Sequence, residues 1–253
     1  MAQGEETLVL ATTTSTENSG LLEKLLPPFE EKFRVRVRVV AVGSGAALKL
    51  GERGDADVLL VHAPEAEEAF VAAGHGVNRR GFMYNDFVLV GPQTDPAGIK
   101  GVTEVVKALF RVGEKGALFV SRGDDSGTDQ KEKSLWREAG VTGFGPWYKE
   151  IGRGMAETLT VADEMRAYTL SDRATYLALG SKIALAVLVE GDARLRNPYS
   201  VIAVNPARHP DANYLGAMQL IAWVTSPAGQ TIIADYQPSG QPMFVPTAVP
   251  AYP

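Results

Sequence analysis

The feature that most constrains the fold is the regular alternation of short β-rich runs with helical segments in the first third of the chain. Two of these runs are apolar with β-branched residues, "TLVLATT" (7–13) and "ADVLLVHA" (56–63), and a third, "RVRVRVV" (34–40), alternates arginine with valine. Amphipathic segments follow these runs, as in "NSGLLEKLLPPFEEKF", whose leucines and phenylalanine share one helical face. A series of this kind predicts an α/β fold with a mostly parallel sheet, and a ligand at the carboxyl ends of its strands.

The alternation restarts after "FMYNDFVLVGP" (82–92), which indicates a second α/β unit. "SVIAVNP" (200–206) then has the apolar, β-branched character of a strand that leads the chain back to the first unit. We therefore predict one lobe from residues 1–84 and 205–253 and a second lobe from residues 85–204, with the ligand cleft between them.

Composition argues against several classes of protein. With 25 basic and 30 acidic side chains and a net charge of −5, the chain has no general attraction for nucleic acid or anionic lipid, so an anion site must be local. The absence of cysteine excludes disulfides and thiolate metal sites. No apolar run reaches the roughly 18 to 20 residues of a membrane-spanning helix, so we expect no direct membrane insertion. The first residues lack an export-signal pattern, which predicts either a cytoplasmic protein or one whose leader has been removed.

An enzyme is the main rival to a binding protein. The three histidines, His62, His75 and His209, are widely separated and have no metal-ligand spacing. The sequence has neither a G-x-S-x-G nucleophile elbow nor the glycine-rich lysine loop that cradles a nucleotide's phosphates. A cytoplasmic anion-sensing domain remains an alternative, although no helix-turn-helix pattern precedes residue 7 or follows residue 240. A binding protein without catalytic activity is therefore favoured.

Three polar loops occupy equivalent places, each between a predicted strand and a predicted helix: "TTTST" (12–16), "GSG" (43–45) and "SRGDDSGT" (121–128). Helix amino termini have unpaired N–H groups and about half a positive charge, and small residues let an anion approach them. Hydroxyl groups add neutral donors, and the guanidinium of Arg122 adds a charged fork. Any one loop is more simply a helix cap, but three together favour a shared oxyanion site.

Several segments together resemble the solute-binding proteins of tungstate ABC transporters, over about residues 7–240: "ATTTSTENSGLL", "GSGAALKLGERGDADVLLVHAP", "NDFVLVGP", "SRGDDSGTD" and "YTLSDRATY". The resemblance implies a two-lobed type II periplasmic binding protein fold, with a mixed, mostly parallel sheet in each lobe. It also implies a monomer in the periplasm or on the cell surface, which delivers tungstate or molybdate to an ABC transporter permease without a metal cation or cofactor. Phosphate-binding relatives carry a similar Arg-x-x-x-Ser-Gly-Thr loop, so a phosphate- or sulfate-binding protein of the same fold remains an alternative. The chain departs from the family in lacking an export leader, which leaves its localisation open.

The same resemblance assigns roles to individual residues. Donors to the anion would come from Thr13, Thr14 and Ser44 in the first lobe. In the second lobe Arg122 would supply the positive charge, and hydroxyl and amide groups of three consecutive residues would complete the cradle: Ser126, Gly127 and Thr128. A carboxylate repels a dianion, so Asp124 or Asp125 is expected instead to orient Arg122 or to cap the helix.

His62 stands where phosphate-binding relatives tend to have the aspartate of an Asp-Ala-Pro stretch. Hydrogen phosphate can donate its proton to a carboxylate, whereas tungstate and molybdate have no proton to donate, so an acceptor would only repel them. His62 is therefore a candidate for oxyanion selectivity. The alternative is that it lies at a strand end, outside the site.

"TLSDRATY" (169–176) is a further candidate, with Thr169, Ser171 or Arg173 near the anion. Its alternative is a structural loop in which Asp172 caps a helix and Arg173 forms an ion pair.

Overall fold

The computed structural model of the protein describes residues 6–238, 240 and 242–248. The described chain forms two compact units: unit 1 contains the residues up to Tyr84 and from Pro198 onward, and unit 2 contains Asn85–Asn197. Within the described part of the chain, no helix has both the length and the apolar character needed to cross a membrane.

Unit 1 is built on one six-stranded sheet with helices on both faces. Its strands lie in the order β10-β4-β9-β3-β1-β2. The elements, in chain order, are β1 (Glu6–Thr13), α1 (Thr14–Asn18), α2 (Leu22–Phe33), β2 (Val35–Val42), α3 (Ser44–Arg53), β3 (Val58–Val61), α4 (Pro64–Ala72), β4 (Gly76–Gly91), then β9 (Arg196–Val204), α9 (Tyr214–Val224), α10 (Pro227–Ala234) and β10 (Val245–Pro246).

Alternation along β1 sends successive side chains to opposite faces of this sheet. Leu8 and Leu10 join the core formed with α2, α9 and α10, whereas Ala11 joins a separate core formed with α3 and α4. The predicted apolar face of α2 is buried in the first of these cores, through Leu22, Leu25, Leu26 and Phe29. Strands β2, β1 and β3 are mutually parallel and β9 runs antiparallel to β3, which makes the sheet mixed, as predicted.

Unit 2 repeats this layered arrangement on a smaller sheet. The second part of β4 pairs antiparallel with β7 and with β8, and β5 pairs parallel with β6. A parallel bridge from Phe119 to Tyr168 joins β5 to the start of β7. The elements are α5 (Val105–Glu114), β5 (Phe119–Ser121), α6 (Gly127–Glu138), β6 (Tyr148–Glu150), α7 (Met155–Glu164), β7 (Thr169–Asp172), α8 (Arg173–Leu179) and β8 (Ala186–Val189).

Two details of the sequence-based prediction require correction. The chain returns to unit 1 between Asn197 and Pro198, earlier than the predicted boundary before residue 205, because Ser200–Ala203 pair with β3 of unit 1. The segment predicted as a loop at 169–176 begins instead with strand β7. Thr169 and Ser171 lie in this strand, which pairs with β4, and both are buried. Their polar side chains gave no indication of this burial.

Candidate functional site

In unit 1, four of the predicted site residues lie at one edge of the sheet. Parallel pairing aligns Thr13 with Val42 and Thr12 with Leu60, so β1, β2 and β3 all end on the same side. Thr13 and Thr14 stand at the end of β1, Ser44 begins α3 just after β2, and His62 follows β3. The topology therefore collects residues from three separate segments at the place where an α/β sheet binds its ligand.

Thr13 shapes the first of these strand ends. It is buried, and its hydroxyl accepts the amide N–H of Thr16 at 3.2 Å, which caps the short helix α1. The same oxygen lies 2.7 Å from the hydroxyl oxygen of Thr16. Thr14 and Ser15 are exposed. The end of β1 therefore presents exposed polar residues beside an ordered hydroxyl network.

The start of α3 is open for a different reason. Its cap residue, Gly43, has no side chain to accept a hydrogen bond, and the first-turn amides of Ser44, Gly45 and Ala46 have no acceptor within the helix. A Cβ atom built on Gly43 or Gly45 would meet nothing within 4 Å, so packing does not require glycine at either position. Small residues leave the positive end of α3 accessible to an anion.

His62 lies against the first loop. Its Nε2 atom is 3.4 Å from Oγ of Ser15, and its ring stacks on that of Tyr199 with centroids 4.6 Å apart. The side chain is half-buried at the end of β3. His62 is therefore a neighbour of the predicted donors in unit 1.

In unit 2, the loop between β5 and α6 holds Arg122. Its Nη2 donates to Oδ2 of Asp124 at 2.5 Å, and the guanidinium side chain is only 17% exposed. Its Nε is buried and, within the described structure, has no hydrogen-bond partner. An unsatisfied buried donor is costly, so an external acceptor at this point would bind favourably.

Asp124 is the internal partner of this loop. Besides Arg122, it accepts the hydroxyl of Ser126 at 2.7 Å and the amide of Ser126 at 3.3 Å. Burial raises the pKa of Asp124, but the hydrogen bonds from Ser126 and Arg122 and the positive charge of Arg122 outweigh burial, and the net pKa is below its ordinary value. The expectation that one aspartate of this loop orients Arg122 is confirmed for Asp124.

The loop ends at the amino terminus of α6. Ser126 caps this helix by accepting the amide of Asp129 at 3.3 Å. The amides of Gly127 and Thr128, the first two residues of the helix, have no acceptor within the helix. These two amides, the positive end of the helix and Arg122 form a cluster of donors in unit 2.

Two buried carboxyl groups behind this loop were not predicted. Asp129 is fully buried, and its carboxylate accepts the amides of Gly123 and Asp125, each at 3.1 Å. Glu132 is 1% exposed and accepts the Trp136 indole N–H at 3.2 Å and the Tyr148 hydroxyl at 2.7 Å. The sequence contained one signal for the first of them, because Ser126-x-x-Asp129 matches the pattern of a capping box.

The further candidate residues on β7 and α8 differ in their hydrogen-bond and ion-pair partners. Arg173 forms a two-pronged ion pair with Asp86 at 2.6 and 2.7 Å and also contacts Glu190, and the hydrogen bond to Asp86 is the main reason that its pKa is raised. Ser171 donates to the carbonyl of Asp172. Thr169 is fully buried, and its hydroxyl has no partner within the described structure.

The alternative predicted for this segment, in which Asp172 caps a helix and Arg173 forms an ion pair, is correct for both residues. Asp172 accepts the amide of Thr175 at 2.7 Å and so caps α8, and the guanidinium of Arg173 is occupied by carboxylates. The parallel bridge between β5 and the start of β7 places Ser171 at the same sheet edge as Arg122. Thr169 and Ser171 remain candidate oxyanion donors in unit 2.

Comparison with known proteins identifies the family. The PBP superfamily domain model matches residues 2–228. The tungstate-binding protein TupA of Peptoclostridium acidaminophilum is 48% identical over 250 residues, which cover 97% of this chain and 87% of the relative. The solved structure of the tungstate-binding protein TupA from Desulfovibrio alaskensis is 47% identical, with a TM-score of 0.92, and the match covers 96% of this chain and 100% of that one.

A second solved structure, the tungstate ABC transporter from Geobacter sulfurreducens, is 55% identical, with a TM-score of 0.80. That match covers 92% of this chain and 100% of the other. These matches cover 92 to 97% of this chain and so extend over both units. The chain therefore belongs to the PBP superfamily and, within it, to the family of tungstate ABC transporter solute-binding proteins.

Proposed function

We propose that this protein captures a tetrahedral oxyanion, tungstate or molybdate, outside the cytoplasm and delivers it to an ABC transporter permease. The observation that carries the proposal is the set of donors at three strand ends. They are the exposed Thr14 at the end of β1, the first-turn amides of α3 and α6, which have no acceptor within their helices, and the buried Nε of Arg122. A ligand made only of acceptors, with negative charge on every oxygen, matches such a set.

The charges of the candidate groups favour a dianion without a proton. Arg122 supplies a positive charge, and Asp124, the carboxylate that pairs with it, is already occupied by Arg122 and Ser126. A protonated oxyanion such as hydrogen phosphate needs an acceptor as well as donors. The donor set therefore fits tungstate and molybdate better than phosphate.

We also propose oxyanion donors in each unit: Thr13, Thr14 and Ser44 in unit 1, and Arg122, Ser126, Gly127 and Thr128 in unit 2. The protein would act as a monomer, without a cofactor, nucleic acid or catalytic step, because hydrogen-bond donors hold an oxyanion without breaking any of its bonds. The names of the relatives, which are tungstate-binding proteins and an ABC transporter, support the choice of ligand and of partner.

Calorimetric titration of the purified protein with tungstate, molybdate, sulfate and phosphate tests the proposal. We expect tight binding of tungstate or molybdate and much weaker binding of the other two anions. Phosphate or sulfate as the only tight ligand would favour the alternative binding proteins of the same fold, and the absence of binding to all four would reject the function.

A prediction about selectivity concerns His62. His62→Asp is expected to weaken tungstate binding about tenfold or more, because it places a negative charge beside Ser15, at the positive end of α1. Calorimetry with tungstate and with phosphate measures this effect.

His62→Asn is the matched control, since it has the size of aspartate and equally loses the stack on Tyr199, but it adds no charge. Equal tungstate affinities of the two variants would place His62 outside the site and assign selectivity to the hydroxyl and amide donors. A wild-type protein that bound phosphate as tightly as tungstate would reject the argument from protonation altogether.

A further inference from the structure

The carboxylate of Asp129 is the best-connected buried charge in unit 2. It lies in the first turn of α6, is fully buried, and accepts the backbone amides of Gly123 and Asp125. The hydroxyl of Ser121 donates to it at 3.4 Å, and the ammonium group of Lys133 contacts it at 2.9 Å. One side chain thus binds the loop that carries Arg122 at two points, on either side of Asp124.

This loop needs such support, because its backbone is unusual. Gly123 and Asp125 have φ angles of +60° and +57°, in the left-handed region that non-glycine residues rarely adopt. A Cβ atom on Gly123 would lie 2.7 Å from Cβ of Glu150, so the loop also packs tightly against the neighbouring strand β6. Asp129 accepts the amide of each left-handed residue and so stabilises a turn that the sequence alone would not favour.

We propose that Asp129 is a positioning residue for oxyanion binding. By occupying the amides of Gly123 and Asp125, its carboxylate fixes the path of the loop on both sides of Asp124, the partner of Arg122, and leaves the amides of Gly127 and Thr128 to the ligand. This inference rests on the proposed function and extends it to a residue that does not itself contact the anion.

Lys133 makes this arrangement compatible with a negatively charged ligand. A buried carboxylate near an anion site would repel the anion, but the ammonium group of Lys133 offsets its charge and also contacts Glu150 at 3.2 Å. The hydrogen bond to Asp129 is the main reason that the pKa of Lys133 is raised. Asp129 and Lys133 therefore act as a neutral pair, and Asp129 affects binding through the geometry of the loop.

The test compares Asp129→Asn with Asp57→Asn. Asp57 is a matched control in unit 1, because its buried carboxylate also accepts two backbone amides, those of Val9 and Asn213, each at 2.7 Å. An asparagine keeps one acceptor and puts an N–H group where the other amide was accepted, so both variants should lose stability. Only Asp129→Asn should also weaken tungstate binding, by about tenfold. Equal tungstate affinities of Asp129→Asn and the wild-type protein would overturn the proposal.

A double-mutant cycle separates positioning from general destabilisation. If Asp129 acts by fixing the loop around Arg122, then Arg122→Ala should reduce tungstate affinity less in the Asp129→Asn background than in the wild-type background. In the Asp57→Asn background it should have its full effect. Additive effects in both backgrounds would assign Asp129 a purely structural role and overturn the proposal.

A variant that changes both partners guards against failure to fold. Asp129→Asn combined with Lys133→Gln leaves no unpaired charge in the interior, and we expect it to fold and to show the same loss of affinity. Wild-type affinity in this variant would equally reject the role of Asp129.

Hydrogen exchange of the unliganded protein examines the loop without any ligand. The amides of Gly123 and Asp125 should be protected in the wild-type protein and exchange faster in both Asp129 variants, whereas unchanged exchange would contradict the proposal. Failure of the wild-type protein to bind any of the four oxyanions would instead reject the proposed function. That result is distinct from the outcomes above, which compare variants with the wild-type protein.

Discussion

Replacing Arg122 by alanine is expected to weaken tungstate binding by more than tenfold, the largest effect that we predict for a single side chain on affinity. A charge-assisted contact that is largely removed from water contributes about 2 to 5 kcal/mol to binding. Arg122 meets this condition, because its guanidinium is mostly buried, Asp124 holds one of its terminal nitrogens, and its Nε has no partner among the described residues. Calorimetry with tungstate measures the loss.

Arg122→Lys should also weaken binding, since an ammonium group cannot reproduce the planar fork of a guanidinium. The matched control is Arg53→Ala, because Arg53 also pairs with an aspartate two residues later, Asp55, but this pair is exposed and lies at the far end of α3. We expect Arg53→Ala to bind tungstate as the wild-type protein does. Wild-type affinity in both Arg122 variants would exclude this residue from the site.

The second large effect is on stability and depends on pH. Burial raises the pKa of Glu132 to about 7, from 4.5 in the unfolded chain. Between these two values the folded protein binds more protons than the unfolded chain, so the contribution of Glu132 to stability falls as pH rises and is fully lost above pH 7. The shift corresponds to about 3 kcal/mol of unfolding free energy.

Glu132→Gln should remove this dependence. Its carbonyl oxygen can still accept from Trp136 and Tyr148, both of which contact a single oxygen of Glu132, and the side chain no longer ionises. Between pH 4 and pH 8, we expect the unfolding free energy of the variant to rise by about 3 kcal/mol relative to that of the wild-type protein. Urea denaturation at the two pH values measures the difference.

Glu138→Gln serves as the control for this experiment, because Glu138 lies on the same helix but is half-exposed and pairs with Arg194 at the surface. Its substitution should change the pH dependence little. If Glu132→Gln and the wild-type protein lost stability equally between pH 4 and pH 8, Glu132 would not titrate with a raised pKa.

The sequence could predict those parts of the fold that depend on neighbours along the chain. The apolar, β-branched run of β1, the helical face of α2 and the proline that begins α4 are local signals, and the structure has each element where these signals placed it. The three strand ends were likewise predictable, because glycine, serine and threonine between a strand and a helix are the residues of a cap. The resemblance then indicated which of these caps could bind an anion.

Only the tertiary structure shows which polar groups already have a hydrogen-bond or ion-pair partner. Asp129 and Glu132 share the buried face of α6, but their burial depends on contacts with distant residues such as Tyr148. Arg173 is occupied by Asp86, which is 87 positions away in the chain, whereas the Nε of Arg122 is buried without a partner in the described structure. Local sequence determines where a donor stands, because backbone periodicity is local; long-range packing determines whether that donor is free, because its partners come from other parts of the chain.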